Sequence, residues 1–136
     1  MITLRQSDRD ALAAYALDQL PNEACGLLAG TETDGVRRVE RVYFLRNLDR
    51  SPEHFSLDPK EQFAALKDAR AWGWRLLGNW HSHPATPARP SAEDIRLAFD
   101  PEASYLILSL AGAARTLKSF RVTQGEAREE PLEIVA

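Results

Sequence analysis

Three prolines stand close together at Pro84, Pro87 and Pro90. Proline lacks a backbone N–H and fixes φ, so segment 84–90 can be neither helix nor central strand. It must be a stiff connection, and the chain has to be arranged around it. On its N-terminal side Arg75 to Trp80 reads as a core strand that ends in His81-Ser82-His83. On its C-terminal side Ser91 to Phe99 reads as a short helix. Polar side chains are thus delivered to both ends of one rigid loop.

The other elements follow from periodicity and punctuation. Ser7, with Asp10 three residues later, signals a helix start; Leu12, Tyr15, Ala16 and Leu20 recur at helical spacing until Pro21 ends the helix. Glu23 to Gly30 reads as a buried strand, and Val36 to Leu45 is rich in strand formers. Asp34-Gly35 is a turn signal, and Gly30 to Val36 is expected to connect the two as a hairpin somewhat longer than the tightest type. Asn47 to Leu57 is polar and irregular, an expected exposed loop. Asp58-Pro59-Lys60-Glu61 combines a cap, a first-position proline and an acidic third residue. The helix it starts is expected to present Phe63, Leu66 and Ala69 on one face and to stop at Gly73. Tyr105 to Leu110 and Thr116 to Val122 read as further strands, with Leu132 to Val135 as a last edge strand. Helices and strands mix without strict βαβ alternation. That predicts one α/β (α+β, mixed-sheet) domain over residues 1–136, its sheet flanked by helices.

Composition narrows the function classes. A chain of 136 residues can bury a real core, and 44% apolar with 27% charged residues is the balance of a soluble globular protein. A net charge of −3 offers no footprint for nucleic acid or an anionic membrane; Arg37-Arg38 is only a basic pair inside a strand. One cysteine, Cys25, excludes an intrachain disulfide and a four-cysteine zinc site. No signal peptide or membrane span is legible, so a cytoplasmic protein is expected.

Two of the three histidines carry the chemistry. Side chains two apart on a strand share a face, so His81 and His83 can grip one metal ion together. Asp94, in the first turn of the next helix, can add a third ligand. Two histidines and a carboxylate leave a fourth position open, which marks a catalytic rather than a structural zinc. Ser91 and Asp94 also form a helix cap with an acidic residue three later. The two roles are compatible, because a capped helix start is a good place to fix a ligand. A hydrolytic site also needs a base. Glu23, opening an apolar strand, can serve by moving a proton from water to the leaving amine. It reads equally as a solvated residue after a helix end.

Glu23, His81-Ser82-His83-Pro84 and Ser91-Ala92-Glu93-Asp94 together resemble the JAMM (MPN-plus) metalloprotease motif. That motif has an upstream glutamate, then His-x-His, seven residues and Ser-x-x-Asp; residues 84–90 supply the seven. The flanks Ala24-Cys25-Gly26-Leu27-Leu28-Ala29-Gly30 and Phe55-Ser56-Leu57-Asp58-Pro59 are similar to small prokaryotic members, and the likeness spans about Ile2 to Leu110. The resemblance implies one zinc ion per chain held by His81, His83 and Asp94. It implies Glu23 as the general base and then acid, and Ser91 as the hydrogen-bond donor to the oxyanion. It implies the MPN (cytidine-deaminase-like) fold with a curved central sheet. It also implies cleavage after the C-terminal Gly-Gly of a ubiquitin-like or sulfur-carrier protein. The short stretch between Asp94 and Tyr105 argues against linkage-specific recognition of ubiquitin chains, and favours trimming a carrier or releasing cysteine from it.

The remaining chemistry-bearing residues read as structural. Cys25 sits in an apolar, glycine-flanked strand and is expected in the core. His54 is expected at the surface. Trp72, Trp74 and Trp80 are expected to pack in the core, with Trp80 opposite His81. Two other functions compete. A catalytically silent MPN scaffold that only binds partners would lack one or more motif residues, and all five are present. A nucleobase deaminase would need a Pro-Cys-x-x-Cys arm, which a single cysteine rules out.

Overall fold

Two helices enclose a sheet because its strands are apolar on both faces. The computed structural model describes residues 1–136. In chain order the elements are β1 (Ile2–Arg5), α1 (Gln6–Asp18), β2 (Cys25–Thr33), β3 (Val36–Leu45), α2 (Pro59–Ala71), β4 (Arg75–His83), α3 (Ala92–Arg96), β5 (Ser104–Ser109), β6 (Leu117–Thr123), β7 (Glu126–Glu130) and β8 (Leu132–Val135). The strands form one mixed sheet in the order β7-β6-β5-β4-β2-β3-β1-β8. Alternation along β2 separates the two cores. Leu28 joins Leu12 and Ala16 of α1, with Trp80 and Leu106, in the main cluster. Leu27 joins Ala65 of α2 and Leu45 on the other side. Between Leu28 and Ala29 the register with β4 slips, so that Gly78 and Leu76 become successive partners. This bulge lets Leu77 and Trp80 both join the main core.

The curvature has a simple cause. Strands β7 and β8 lie at opposite ends of the sheet, yet only Pro131 separates them in sequence. One residue spans at most about 3.6 Å, so the sheet must curl until its edges nearly meet. A buried polar cluster braces the curl. Arg37 of β3, only 2% exposed, donates to the Leu77 carbonyl and to Ser104 Oγ, both at 3.0 Å. Ser104 and Ser119 hydroxyls both donate to Glu130 Oε1 at 2.8 Å.

Several local expectations are corrected. The hairpin turn is the two-residue Asp34-Gly35, both at positive φ, the tight geometry that matches strand twist. Strand β2 runs on through exposed Thr31, Glu32 and Thr33, which carry no apolar signal. Helix α1 follows β1 directly, with Arg5 at its N-cap and no side-chain cap, so Ser7 lies inside it. Asp58 does cap α2, accepting from the Lys60 N–H at 2.9 Å, but Phe63 points to solvent, 63% exposed. Helix α3 stops at Arg96, leaving Phe99 outside it. Trp72 and Trp74 stack on each other beneath the Arg41 guanidinium, with Trp72 exposed rather than in the core. Trp80 is buried, and its indole N–H donates to the Tyr43 carbonyl at 3.0 Å. Strands β1 and β7 were not legible, the first for its brevity and the second for its charge.

Candidate metal centre

Strand β4 ends with His81 and His83 on one face, as alternation requires, and both are buried. Helix α3 starts with a full capping box. Ser91 Oγ accepts from the Asp94 N–H at 3.0 Å, and Asp94 Oδ2 accepts from the Ser91 N–H at 2.9 Å. The same Asp94 oxygen stands 3.2 Å from the Nε2 atoms of His81 and His83, which are 3.1 Å from each other. One carboxylate therefore caps the helix and completes a triangle of donors. Tetrahedral ligands about 2.0–2.1 Å from a common zinc ion stand roughly 3.3–3.4 Å apart, so the triangle fits that ion.

The tautomer of His83 agrees with this. The His83 Nδ1–H donates to the Pro87 carbonyl at 2.9 Å, so the neutral ring turns its Nε2 lone pair into the triangle. The proline loop thus orients a ring as well as separating two elements. Burial holds His81 below its usual pKa and keeps it neutral. Burial also opposes charge on His83, but Asp94, the Pro87 carbonyl and Glu23 outweigh it, so its pKa lies above the usual value. At Asp94 burial works against the charge, but the two histidines beside it outweigh burial and hold the carboxyl far below the ordinary carboxylate range. Phe55 stacks on the His81 ring, with centroids 4.7 Å apart.

Glu23 lies just ahead of β2, 4% exposed, with Oε1 buried and unpartnered. Burial pushes its pKa up to about 8, against the pull of His83. Glu23, His83 and Ser91 line one cavity. His81 and Asp94 line a second, largely apolar cleft of about 350 Å³ walled by Leu57, Leu97 and Phe99. Glu53, His54 and Glu93 border both. His54, on the surface as expected, pairs with Glu93 across that border. Cys25 is fully buried and pushed up to about 12 by burial, which removes it as a nucleophile.

Two residues escaped the sequence reading. Ser82, between the histidines and on the opposite face, accepts the Ala24 N–H on its Oγ at 2.8 Å, while its own N–H donates to the Ala24 carbonyl. It ties the Glu23 segment to the ligand strand. Asn47 is buried in a loop expected to be exposed. A serine framed by two histidines and an asparagine opening a polar loop were the only signals.

Residues 5–123 match the model of the prokaryotic homologs of the JAB domain. The chain belongs to this family. As a member of the prokaryotic JAB-domain family it is a metallopeptidase of the JAMM type. It is 37% identical to the CysO-cysteine peptidase of Mycobacterium tuberculosis, over 99% of this chain and 92% of that one. It is 42% identical to a probable TtuB-protein conjugate cleaving protease of Thermus thermophilus, over 83% of this chain and 70% of that one. Among solved structures, a Desulfitobacterium hafniense protein superposes with a TM-score of 0.91 at 57% identity, covering 99% of this chain and 93% of that one. A JAB1/MPN domain protein of Archaeoglobus fulgidus superposes with a TM-score of 0.62 at 24% identity, covering 99% and 98%. These likenesses, with the curled mixed sheet, give the family's MPN fold.

Proposed function

We infer that residues 1–136 act as one zinc peptidase domain, working in the cytoplasm with one zinc ion per chain. The substrate is a ubiquitin-like or sulfur-carrier protein, cut at the amide bond after its C-terminal Gly-Gly to release cysteine or trailing residues. The observation that carries this reading is the donor triangle of His81 Nε2, His83 Nε2 and Asp94 Oδ2, all within 3.2 Å, beside a buried carboxyl at Glu23. The relatives named as a CysO-cysteine peptidase and a TtuB-conjugate protease support the carrier class. No helix is long and apolar enough to cross a membrane.

The roles divide by chemistry. His81, His83 and Asp94 hold the ion. Zinc at this place supplies Lewis-acid polarisation and makes a water molecule more acidic. Glu23 is the general base and then the acid. Its carboxyl is buried at the cavity that His83 and Ser91 also line, which suits a group that must take a proton and return it. Ser91 Oγ already accepts from Asp94 N–H, so its own hydroxyl hydrogen is free to steady the oxyanion at the cut carbonyl. The apolar cleft beside His81 receives the extended tail of the carrier.

The test is cleavage of a Gly-Gly-terminated sulfur carrier extended by a C-terminal cysteine or short peptide, followed by mass. Wild-type protein releases the extension. Glu23→Gln keeps its zinc and loses roughly 10²–10⁴-fold in turnover, because only proton transfer is removed. Turnover of that variant at the wild-type rate overturns the assignment of the base. Absence of both zinc and cleavage in the wild type leaves the silent scaffold as the better account.

A further inference from the structure

Segment 47–57, between β3 and α2, is held to the peptide unit of one residue, Glu23. The Glu23 N–H donates to the Ser51 carbonyl at 2.8 Å. The Glu23 carbonyl accepts from Asn47 Nδ2 at 3.1 Å. The same Nδ2 donates to the His54 carbonyl at 2.8 Å. Asn47 Oδ1 accepts the N–H groups of Asp49 and Ser56 at 3.0 and 3.1 Å. One buried amide therefore satisfies four backbone groups, two through each end. Its two halves do different work. The oxygen folds the segment on itself, and the nitrogen fastens it to Glu23 while closing it on His54. The segment also carries Phe55, which covers the His81 ring.

We propose that Asn47 is a positioning residue for catalysis, whose amide nitrogen fixes the Glu23 backbone so that the carboxyl faces the reacting bond. This rests on Glu23 being the proton-transfer group. Glu23 needs such a support because it precedes the regular pairing of β2. The Glu23 carboxylate has an unpartnered buried oxygen, so its direction is set through the backbone rather than by a side-chain partner. The far side of the same short segment is fixed by Ser82, which pairs with Ala24. A small shift of a general base costs a large factor in rate, and the same segment also walls the apolar cleft through His54, Phe55 and Leu57.

The substitution Asn47→Asp separates the two halves of the amide. It keeps an acceptor for Asp49 and Ser56 and removes the donor to the Glu23 and His54 carbonyls; Asn47→Ala removes both halves. Amide hydrogen exchange of the zinc-loaded proteins reads the segment directly. Ser56 and Asp49 stay protected in Asn47→Asp and exchange rapidly in Asn47→Ala. Cleavage of the cysteine-extended carrier reads the consequence. Asn47→Asp lowers kcat by about tenfold or more at unchanged zinc content. In a double-mutant cycle it adds nothing to the loss already caused by Glu23→Gln, because it acts through that carboxyl. Wild-type kcat in Asn47→Asp, or a loss that multiplies fully with Glu23→Gln, overturns the positioning role. Wild-type protein that binds zinc and releases nothing overturns the peptidase reading itself, which is a different failure.

Discussion

Glu23 shows how a single residue couples stability to chemistry. A carboxyl group buried with one unpartnered oxygen resists ionisation, and its pKa rises from an ordinary 4.5 to about 8. The sign of the pH effect follows. The folded protein holds the proton over a range in which the unfolded chain has lost it. Stability from this group is complete below 4.5 and falls as pH rises through about 8. Thermal unfolding of metal-stripped wild type and Glu23→Gln from pH 5 to 9 checks this. The stability of the wild type relative to the variant falls across that window, whereas a constant difference contradicts it. The candidate ligands and the buried glutamate could be picked out in the sequence because their residue types and spacing constrain one another over a long stretch of chain. Asn47 and Ser82 were not, since nothing in a polar loop or a His-x-His step says which small polar side chain ends up buried. Ser82 meets Ala24 only because β2 lies against β4, and Asn47 meets Glu23 only because β2 lies against β3.

At the scale of elements, strand β2 tolerates least. Gly26 lies where Trp80 crosses the sheet, and a Cβ there would sit 1.7 Å from the Tyr43 carbonyl oxygen and 2.3 Å from Trp80 Nε1. The first obstacle is backbone and cannot move aside. Gly26→Ala is expected to destabilise by about 3 kcal/mol or more, read by urea unfolding, and less than about 1 kcal/mol would contradict this packing. Helix α2 gives the opposite case. Phe63 is solvent-facing, so Phe63→Ser should change stability by about 0.5 kcal/mol or less. The sequence located α2 correctly through its cap and proline; of the expected face Ala69 is buried and Leu66 half-buried, while Phe63 points out and Ala65 packs instead. Ala65 and Ala69 do the buried packing, and two alanines give a weaker apolar signal than one phenylalanine. Strand β7 was missed for a related reason. Glu126 to Glu130 is almost wholly charged, and pairing with β6, rather than an apolar face, makes it a strand.

Across the whole molecule, the curl of the sheet brings distant strands together and the metal site depends on it only in part. The brace from Arg37 through Ser104 and Glu130 to Ser119 joins β3, β5, β6 and β7, and touches β4 at Leu77, towards the opposite end of that strand from His83. Arg37→Leu leaves the Leu77 carbonyl and Ser104 without their donor and should cost about 2–5 kcal/mol. Zinc affinity should be spared wherever the variant is folded, which calorimetry with added zinc would check. The order of helices and strands was legible and predicted a mixed sheet between helices. The curvature was expected through the family resemblance alone; element order does not give it, because it is set by the pairing order and by Pro131 between the two edge strands. The central claim is that His81, His83 and Asp94 hold a zinc ion, and the most direct test is the metal content of protein purified without added zinc, beside His81→Ala. The account predicts close to one zinc per wild-type chain and almost none in the variant. Wild-type protein that stays metal-free after exposure to zinc, or a His81→Ala variant that keeps full stoichiometry, would contradict it.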